Sequence, residues 1–300
     1  MTINWPDTTR SRFGKEIIRA EHSLHDRDMF SDEGLAKLLD DYPRDQLGIW
    51  TFGAHDEGEA ATIKGAAPDL SGSDILDAVK RGTIWLNLRA TNSHIADYEG
   101  IADEIFGSLQ DASGHKIRKR DVGVLISSPN VNVHYHLDIP MVALFQIRGA
   151  KRIWFYPVGE DYAPATHIEG IALQEKEEGL PFRHQFDSAA EIIDMVPGMA
   201  VTWPQTAPHR VQNEDVLNVS LSCEYMTLPA LIQANAIYAN GVMRRRLGLS
   251  PSRPSQGGLA TMGRAALARA FKAAGTRKPS RAPTPVTFEI DPAASTCVRP

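Results

Sequence analysis

Cysteine is nearly missing from this chain: 300 residues carry only Cys223 and Cys297, in no metal-binding spacing. A disulfide framework is therefore not expected. Long apolar runs are missing too, since none approaches the roughly 18 residues needed to cross a bilayer. The opening stretch, MTINWPDTTRSRFGKE, holds no apolar segment of the kind a secretory signal requires. These absences lead to the expectation of a cytoplasmic protein with no membrane partner. Internal repeats are absent as well. What remains is the balance of an ordinary globular protein, 42% apolar and 23% charged, long enough to bury a large core.

Acidic residues are absent from one long span. Between Gly241 and Arg281 the chain has ten Lys and Arg and no Asp or Glu, which leaves 22 basic against 37 acidic residues elsewhere. Such an asymmetry suits an anionic partner, nucleic acid among them. No recognition motif accompanies it, so the favoured reading is a basic segment docked on the chain's own acidic body or on a second copy.

Residues 1–120 read as a lead-in of mixed helix and strand. SDEGLAKLLDDYP begins with a capping Ser31, repeats Leu35, Leu38 and Leu39 at helical spacing and stops at Pro43. SGSDILDAVKRG repeats the pattern with a cap near Ser73, and residues 94–110 form a third helix with Ile95, Tyr98, Ile101, Ile105 and Leu109 on one stripe. LGIWTF and TIWLNLRA are strand candidates. From 121 to 227 the texture changes to short β-branched and aromatic runs separated by Gly and Pro, which signals an antiparallel sandwich or small barrel. A polar insertion at 158–188 interrupts it, either a functional lid or a decoration. Helical patterns return at 228–275, and a Pro-rich tail, 276–300, includes a possible short strand at PVTFEI.

The chemistry concentrates in HYHLDIP, residues 134–140. Strand residues two apart project from one face, so His136 and Asp138 are neighbours able to share one ion. A second histidine must come from elsewhere, and His209, after the PGMAVTWPQTAP strand and turn, is the best placed. His167 and His184, in the insertion, are expected to be solvated. Two histidines and one carboxylate on one side of a metal leave the other coordination positions open, which suits non-haem Fe(II) that binds a cosubstrate and O2.

On these residues the chain resembles the JmjC and cupin-like 2-oxoglutarate oxygenases, in particular the branch with the asparaginyl and other protein hydroxylases. His136 and Asp138 are followed by Gln146, Gly149 and Lys151 at the family's offsets, and Pro197, Gly198, Pro204 and His209 match its second block. The resemblance implies a mainly β fold with flanking helices: a double-stranded β-helix (jelly-roll, cupin) barrel, with the α/β lead-in before it and the C-terminal helices after it. It implies Fe(II) on His136, Asp138 and His209, and Lys151 paired with the distal carboxylate of 2-oxoglutarate. Ser222 is the nearest match to a polar position on the last strand. Val133 and Val142 depart from the pattern, each standing where relatives carry a polar residue. A simple cupin would instead use His134 and His136 with a Glu four or five residues on; Pro140 and Met141 occupy those positions, so His134 is read as a bystander.

The leading expectation is an Fe(II)/2-oxoglutarate-dependent hydroxylase of a peptide, protein side chain or small molecule. Two alternatives stand beside it. One is a metal-keeping regulatory or binding protein that has lost the chemistry and meets an anionic partner through the basic span. The other is a cupin-type dioxygenase that needs no 2-oxoglutarate. The resemblance further implies a homodimer through the C-terminal helices.

Overall fold

A computed structural model describes residues 3–52, 57–58, 62–67, 69–255, 257–276, 284–294 and 296–299. The strands are β1 (Ile3–Asn4), β2 (Ile18–His22), β3 (Gly48–Phe52), β4 (Thr62–Ala66), β5 (Trp85–Leu88), β6 (Arg118–Ser127), β7 (Asn132–His136), β8 (Met141–Arg148), β9 (Lys151–Phe155), β10 (Glu191–Met195), β11 (Met199–Thr202), β12 (His209–Asn213), β13 (Asn218–Met226), β14 (Val286–Ile290) and β15 (Val298–Arg299). The helices are α1 (Thr9–Arg12), α2 (Asp32–Asp41), α3 (Gly72–Arg81), α4 (Thr91–His94), α5 (Ala96–Ser113), α6 (Ala165–Ala172), α7 (Leu228–Leu247) and α8 (Leu259–Ala273). Among the described residues these strands make an eleven-stranded sheet, β1-β2-β11-β8-β13-β6-β5-β3-β4-β14-β15, and a four-stranded sheet, β10-β9-β12-β7. The chain is thus mainly sheet with flanking helices.

Alternation divides the large sheet into two faces. On β13, Val219, Leu221, Cys223 and Tyr225 enter the main core, where they meet Leu35 and Leu39 of α2, Ile75 and Val79 of α3, and Ile105 and Phe106 of α5. The intervening residues, Ser220, Ser222 and Glu224, turn the other way. On that second face Val142 and Leu144 of β8 and Val201 of β11 pack against Ile153 and Phe155 of β9 and Ile193 and Met195 of β10. The two sheets therefore enclose a common interior, and the helices of the lead-in cover only the outer face of the large one.

Ser31 caps α2 by accepting from the Gly34 N–H at 3.1 Å, a contact typically worth about 1 kcal/mol. The second cap is Ser71, not Ser73: its hydroxyl oxygen accepts from the Asp74 N–H, and the helix begins two residues earlier than the sequence pattern suggests. The helix expected over 94–110 is present as α5, which starts two residues later, after the extended Ile95, and runs on to Ser113; the single turn α4 precedes it. The PVTFEI strand is present as β14, and it pairs in parallel with β4. The basic span partly docks on the chain itself. Arg244 forms an ion pair with buried Glu169 at 2.8 Å, and Arg245 pairs with Glu169 and Glu175. Arg277, Lys278 and Arg281 lie outside the described residues. Helix α8 packs on α7 and leaves Leu259 and Met262 exposed. No described helix is long and apolar enough to cross a membrane.

The insertion is ordered by its own apolar residues. Ile168, Ile171, Leu180, Phe182 and Phe186 pack with Tyr135, Leu137, Trp154 and Tyr156 on the outer face of the small sheet. Its Glu178–Leu180 stretch runs beside β7, with the Leu137 N–H donating to the Glu178 carbonyl at 3.1 Å and the Leu180 N–H to that of Tyr135 at 2.9 Å. Asp187 adds an ion pair to Arg210 at 2.9 Å, and the Arg210 guanidinium lies 3.7 Å from the Trp154 ring centroid.

The turn between β8 and β9 sets the start of β9 and hence the place of Lys151. Gly149 has φ +69°, and a Cβ there would run into the Leu217 carbonyl oxygen. Gln146 clamps the same turn: its Nε2 donates to the carbonyls of Arg148 and Gly149 and to Asn218 Oδ1, while Ser220 donates to its Oε1 at 2.7 Å. Gly149→Ala is expected to destabilise the fold by about 1–3 kcal/mol through left-handed strain and that contact. A denaturant midpoint equal to that of the wild type would contradict this.

Candidate metal centre

Strands β7 and β12 bring two histidines face to face. His209 pairs directly across from His136, and the register shifts between His209 and Val211, a bulge that re-aims the first residue of β12. The two rings stand 4.2 Å apart between centroids. Asp138, two residues beyond His136, adds an oxygen 3.5 Å from His209 Nε2. One ligand atom from each of the three residues lies within 4.8 Å of the others. The three residues named as ligands from the sequence are therefore gathered at one point.

Each ring nitrogen facing away from that point is held by main chain. His136 Nδ1 is 2.7 Å from the His134 carbonyl oxygen, and His209 Nδ1 is 3.2 Å from that of Ala207. Only a protonated Nδ1 makes that bond, so both Nε2 atoms present lone pairs to the site. Burial, and then the neighbouring His136, hold the His209 pKa well below its ordinary value, which keeps it neutral as a ligand must be. Burial raises the Asp138 carboxyl pKa, and His136 and Arg89 oppose the rise. The donor set fits a divalent metal, and Fe(II) in particular when positions are left open for other ligands.

His134, the expected bystander, is not part of this group. Its ring meets Phe52 edge-on at 5.2 Å, and its carbonyl orients His136. His167 departs from expectation. It is buried, with Nε2 2.8 Å from the Gly179 carbonyl, because α6 packs down on the small sheet where a solvated loop was expected. His184 is exposed, as expected.

Lys151 opens β9 on the same face as Ile153 and Phe155, so its side chain enters the interior between the sheets. It is 5% exposed. No hydrogen bond or ion pair reaches its ammonium among the described residues, and burial alone pushes its pKa down to about 7. Phe155, four residues along the strand (about 13 Å), pairs with His209. The walls between the two are apolar: Val142, Leu144 and Ile153. Ser222 stands half-buried on β13, opposite Leu144 and Gly123, on the interior face. A buried cation without a counter-charge fits an anionic ligand carried into that interior.

Three further groups at the mouth have no counterpart in the sequence expectations. Arg89, just past β5, holds Glu224 with both carboxylate oxygens at 2.9 and 3.0 Å. Burial pushes the Glu224 carboxyl up to about 8, against the pull of Arg89. Glu178, from the insertion, stands where burial and then the Asp138 charge raise its carboxyl. Glu224 was findable, since it lies two residues beyond Ser222 on the same strand face. Glu178 and Arg89 carried no signal, because only the folded insertion and the β5 turn bring them to the mouth.

No protein-family model matches the sequence, and no curated protein does. Solved structures do match at the level of the fold, a β core with flanking helices. One is the X-ray structure of YcfD from E. coli, with a TM-score of 0.50 and 18% identity, covering 93% of this chain and 69% of that one. A structure of the same protein, described as a ribosomal oxygenase from Escherichia coli in complex with cobalt and 2-oxoglutarate, matches with a TM-score of 0.49 and 16% identity over the same shares.

Asp138→Ala is expected to weaken Co(II) or anaerobic Fe(II) binding by at least about 100-fold, and His134→Ala by less than about threefold. Calorimetric titration reads both. The opposite order would move the ligand set to the simple-cupin pair.

Proposed function

We propose that this chain is an Fe(II)- and 2-oxoglutarate-dependent oxygenase, a hydroxylase of a peptide, protein side chain or small molecule. The observation that carries the reading is the presence, in one interior, of a His–Asp–His metal set and a buried ammonium with no counter-ion among the described residues. The barrel from β6 to β13 is read as a double-stranded β-helix. His136, Asp138 and His209 would hold the iron, and Lys151 would take one carboxylate of the cosubstrate. When bound, iron and 2-oxoglutarate together with O2 would supply an oxidant for a substrate C–H bond, with 2-oxoglutarate leaving as succinate and CO2.

The chain's residues do the positioning. The His134 and Ala207 carbonyls fix both imidazoles, so that the ligand face is set before the metal arrives. The Gln146–Asn218–Ser220 network holds the turn from which Lys151 enters. Val142 keeps the interior apolar, which strengthens an ion pair made there by excluding water, while Ser222 offers a hydroxyl. The apolar positions thus place most of the polar recognition on Lys151. Arg89, Glu178 and Glu224 surround the mouth, where a substrate would first meet charge. The binding-protein alternative draws little from the basic span, because Arg244 and Arg245 are engaged by Glu169 and Glu175.

The test is conversion of 2-oxoglutarate to succinate under air by the Fe(II)-loaded chain, with no added substrate. Slow turnover that falls to background in Asp138→Ala is expected; no turnover in the wild type would favour a protein that keeps metal without the chemistry. The pH dependence is specific to Lys151. Only the ammonium attracts a carboxylate, and it loses its proton as pH rises through about 7. Affinity for 2-oxoglutarate is therefore expected to be full below pH 7 and to fall by up to about tenfold per pH unit above it. In Lys151→Met it should be weak at every pH, and a wild-type affinity flat from pH 6 to 9 would contradict the role.

A further inference from the structure

Asp138 is the metal-site residue that no strand carries. It follows the end of β7 at His136, in the irregular link 137–140 that leads to β8. Two hydrogen bonds from distant parts of the chain hold the main chain on either side of it. The Leu137 N–H donates to the Glu178 carbonyl of the insertion at 3.1 Å. The Ile139 carbonyl accepts from Gln205 Nε2 at 2.8 Å, and Gln205 belongs to the loop that delivers His209.

That loop is strained. Residues 204–207 make a turn closed by the Ala207 N–H, which donates to the Pro204 carbonyl at 3.1 Å. Within it Thr206 has φ +63°, a left-handed conformation that a β-branched residue rarely adopts. Such strain persists only where the surroundings impose it. Gln205, one residue earlier, supplies fixing contacts. Besides Ile139, its Nε2 donates to the Ala230 carbonyl in the first turn of α7 at 3.2 Å. Both partners are carbonyl oxygens, so it is the donor end of the amide that points there. The turn then passes to Ala207, whose carbonyl accepts from His209 Nδ1 at 3.2 Å, and to Pro208, whose carbonyl accepts from the Tyr156 N–H at 2.9 Å. One side chain thus joins the link bearing Asp138, the turn that orients His209 and the start of α7.

Packing alone does not account for a glutamine here. It is 3% exposed, and its Oε1 is buried with no hydrogen-bond partner among the described residues. That burial costs stability, and an aliphatic side chain of the same length would avoid it. What the aliphatic side chain lacks is the N–H donors. We infer that Gln205 is a positioning residue of the metal centre. By tying the Ile139 carbonyl to the turn before His209, it sets Asp138 and His209, whose Oδ2 and Nε2 stand 3.5 Å apart, at the separation that one ion needs. The inference rests on the reading of His136, Asp138 and His209 as metal ligands, and it adds to them a residue that holds two of the three in place through main chain.

The experiment is titration of the full chain with Co(II), read by calorimetry and by the d–d absorption of the complex, for the wild type, Gln205→Met and Thr202→Val. Methionine keeps the length of the side chain and removes the donors. Thr202 is the control. It is 2% exposed and lies just before the same loop, but its hydroxyl bonds the Val142 carbonyl at 2.7 Å and Tyr225 at 3.1 Å rather than the Asp138 link. Gln205→Met that retains the wild-type circular dichroism is expected to bind Co(II) about tenfold or more weakly, with a shifted band. Thr202→Val should lower the denaturant midpoint and leave both Co(II) affinity and band as in the wild type. Gln205→Leu replaces the methionine variant should that one not fold. A smaller loss in the Gln205 variant, or an unchanged band, overturns the inference and leaves the metal centre standing. An equal loss in Thr202→Val overturns it too, since the effect would then be a general loosening. No Co(II) binding by the wild type overturns the ligand reading itself, and the inference with it.

Discussion

Lys151 carries an ammonium into an apolar interior where none of the described residues neutralises it. Removing such a charge from water is expensive unless a partner replaces the lost hydration, and the protein answers by letting the proton go near pH 7. Much of the surrounding structure serves to impose that placement. Gly149 permits the tight turn, Gln146 bonds both of its carbonyls and Asn218, and β9 then begins with Lys151 facing inward. A surface lysine beside a hairpin would need none of this. The buried cation makes sense once an anion is brought to it, and in the proposed function the metal-site residues, reached through the His209–Phe155 pair at the other end of β9, would supply a second anchor for the same ligand.

The metal site is arranged by comparable means. Backbone carbonyls two residues before each histidine select the tautomer, and a bulge at the start of β12 aims His209 at His136. The insertion contributes from outside. By lying along β7 and packing Phe182 and Phe186 against Tyr135, it supports the strand that bears His136 from behind. It also delivers Glu178 to the mouth. The loop carrying His209 is held on both sides, since Trp203 stacks 4.9 Å from the His209 ring while Gln205 bonds the carbonyl of Ile139 next to Asp138.

The site was legible where chemistry dictates spacing. His136 and Asp138 share a face because strands alternate, and Gln146, Gly149 and Lys151 were legible only through the offsets of the family that the chain resembles. The helices of the lead-in were legible through Ser31 and the Leu35, Leu38 and Leu39 stripe. β2 was not, although Ile18, Ala20 and His22 alternate correctly; five residues with Arg19 and Glu21 outward carry too little pattern. The insertion reads only as polar in the sequence because its anchors, Ile168, Leu180, Phe182 and Phe186, are scattered and become a cluster only against the outer face of the small sheet. His167 was misjudged for the same reason. Arg89 and Glu178 reach the mouth through tertiary packing alone, which no local pattern records.

The most direct test of the account is an anaerobic titration of the Fe(II)-loaded chain with 2-oxoglutarate, following the visible charge-transfer absorption of the chelate. A saturable band that is missing in Asp138→Ala and needs far more 2-oxoglutarate in Lys151→Met would show that the triad and the buried ammonium grip one molecule. Iron binding with no band at any concentration would contradict it, and would mean that the apolar walls around Val142 close the interior to the cosubstrate.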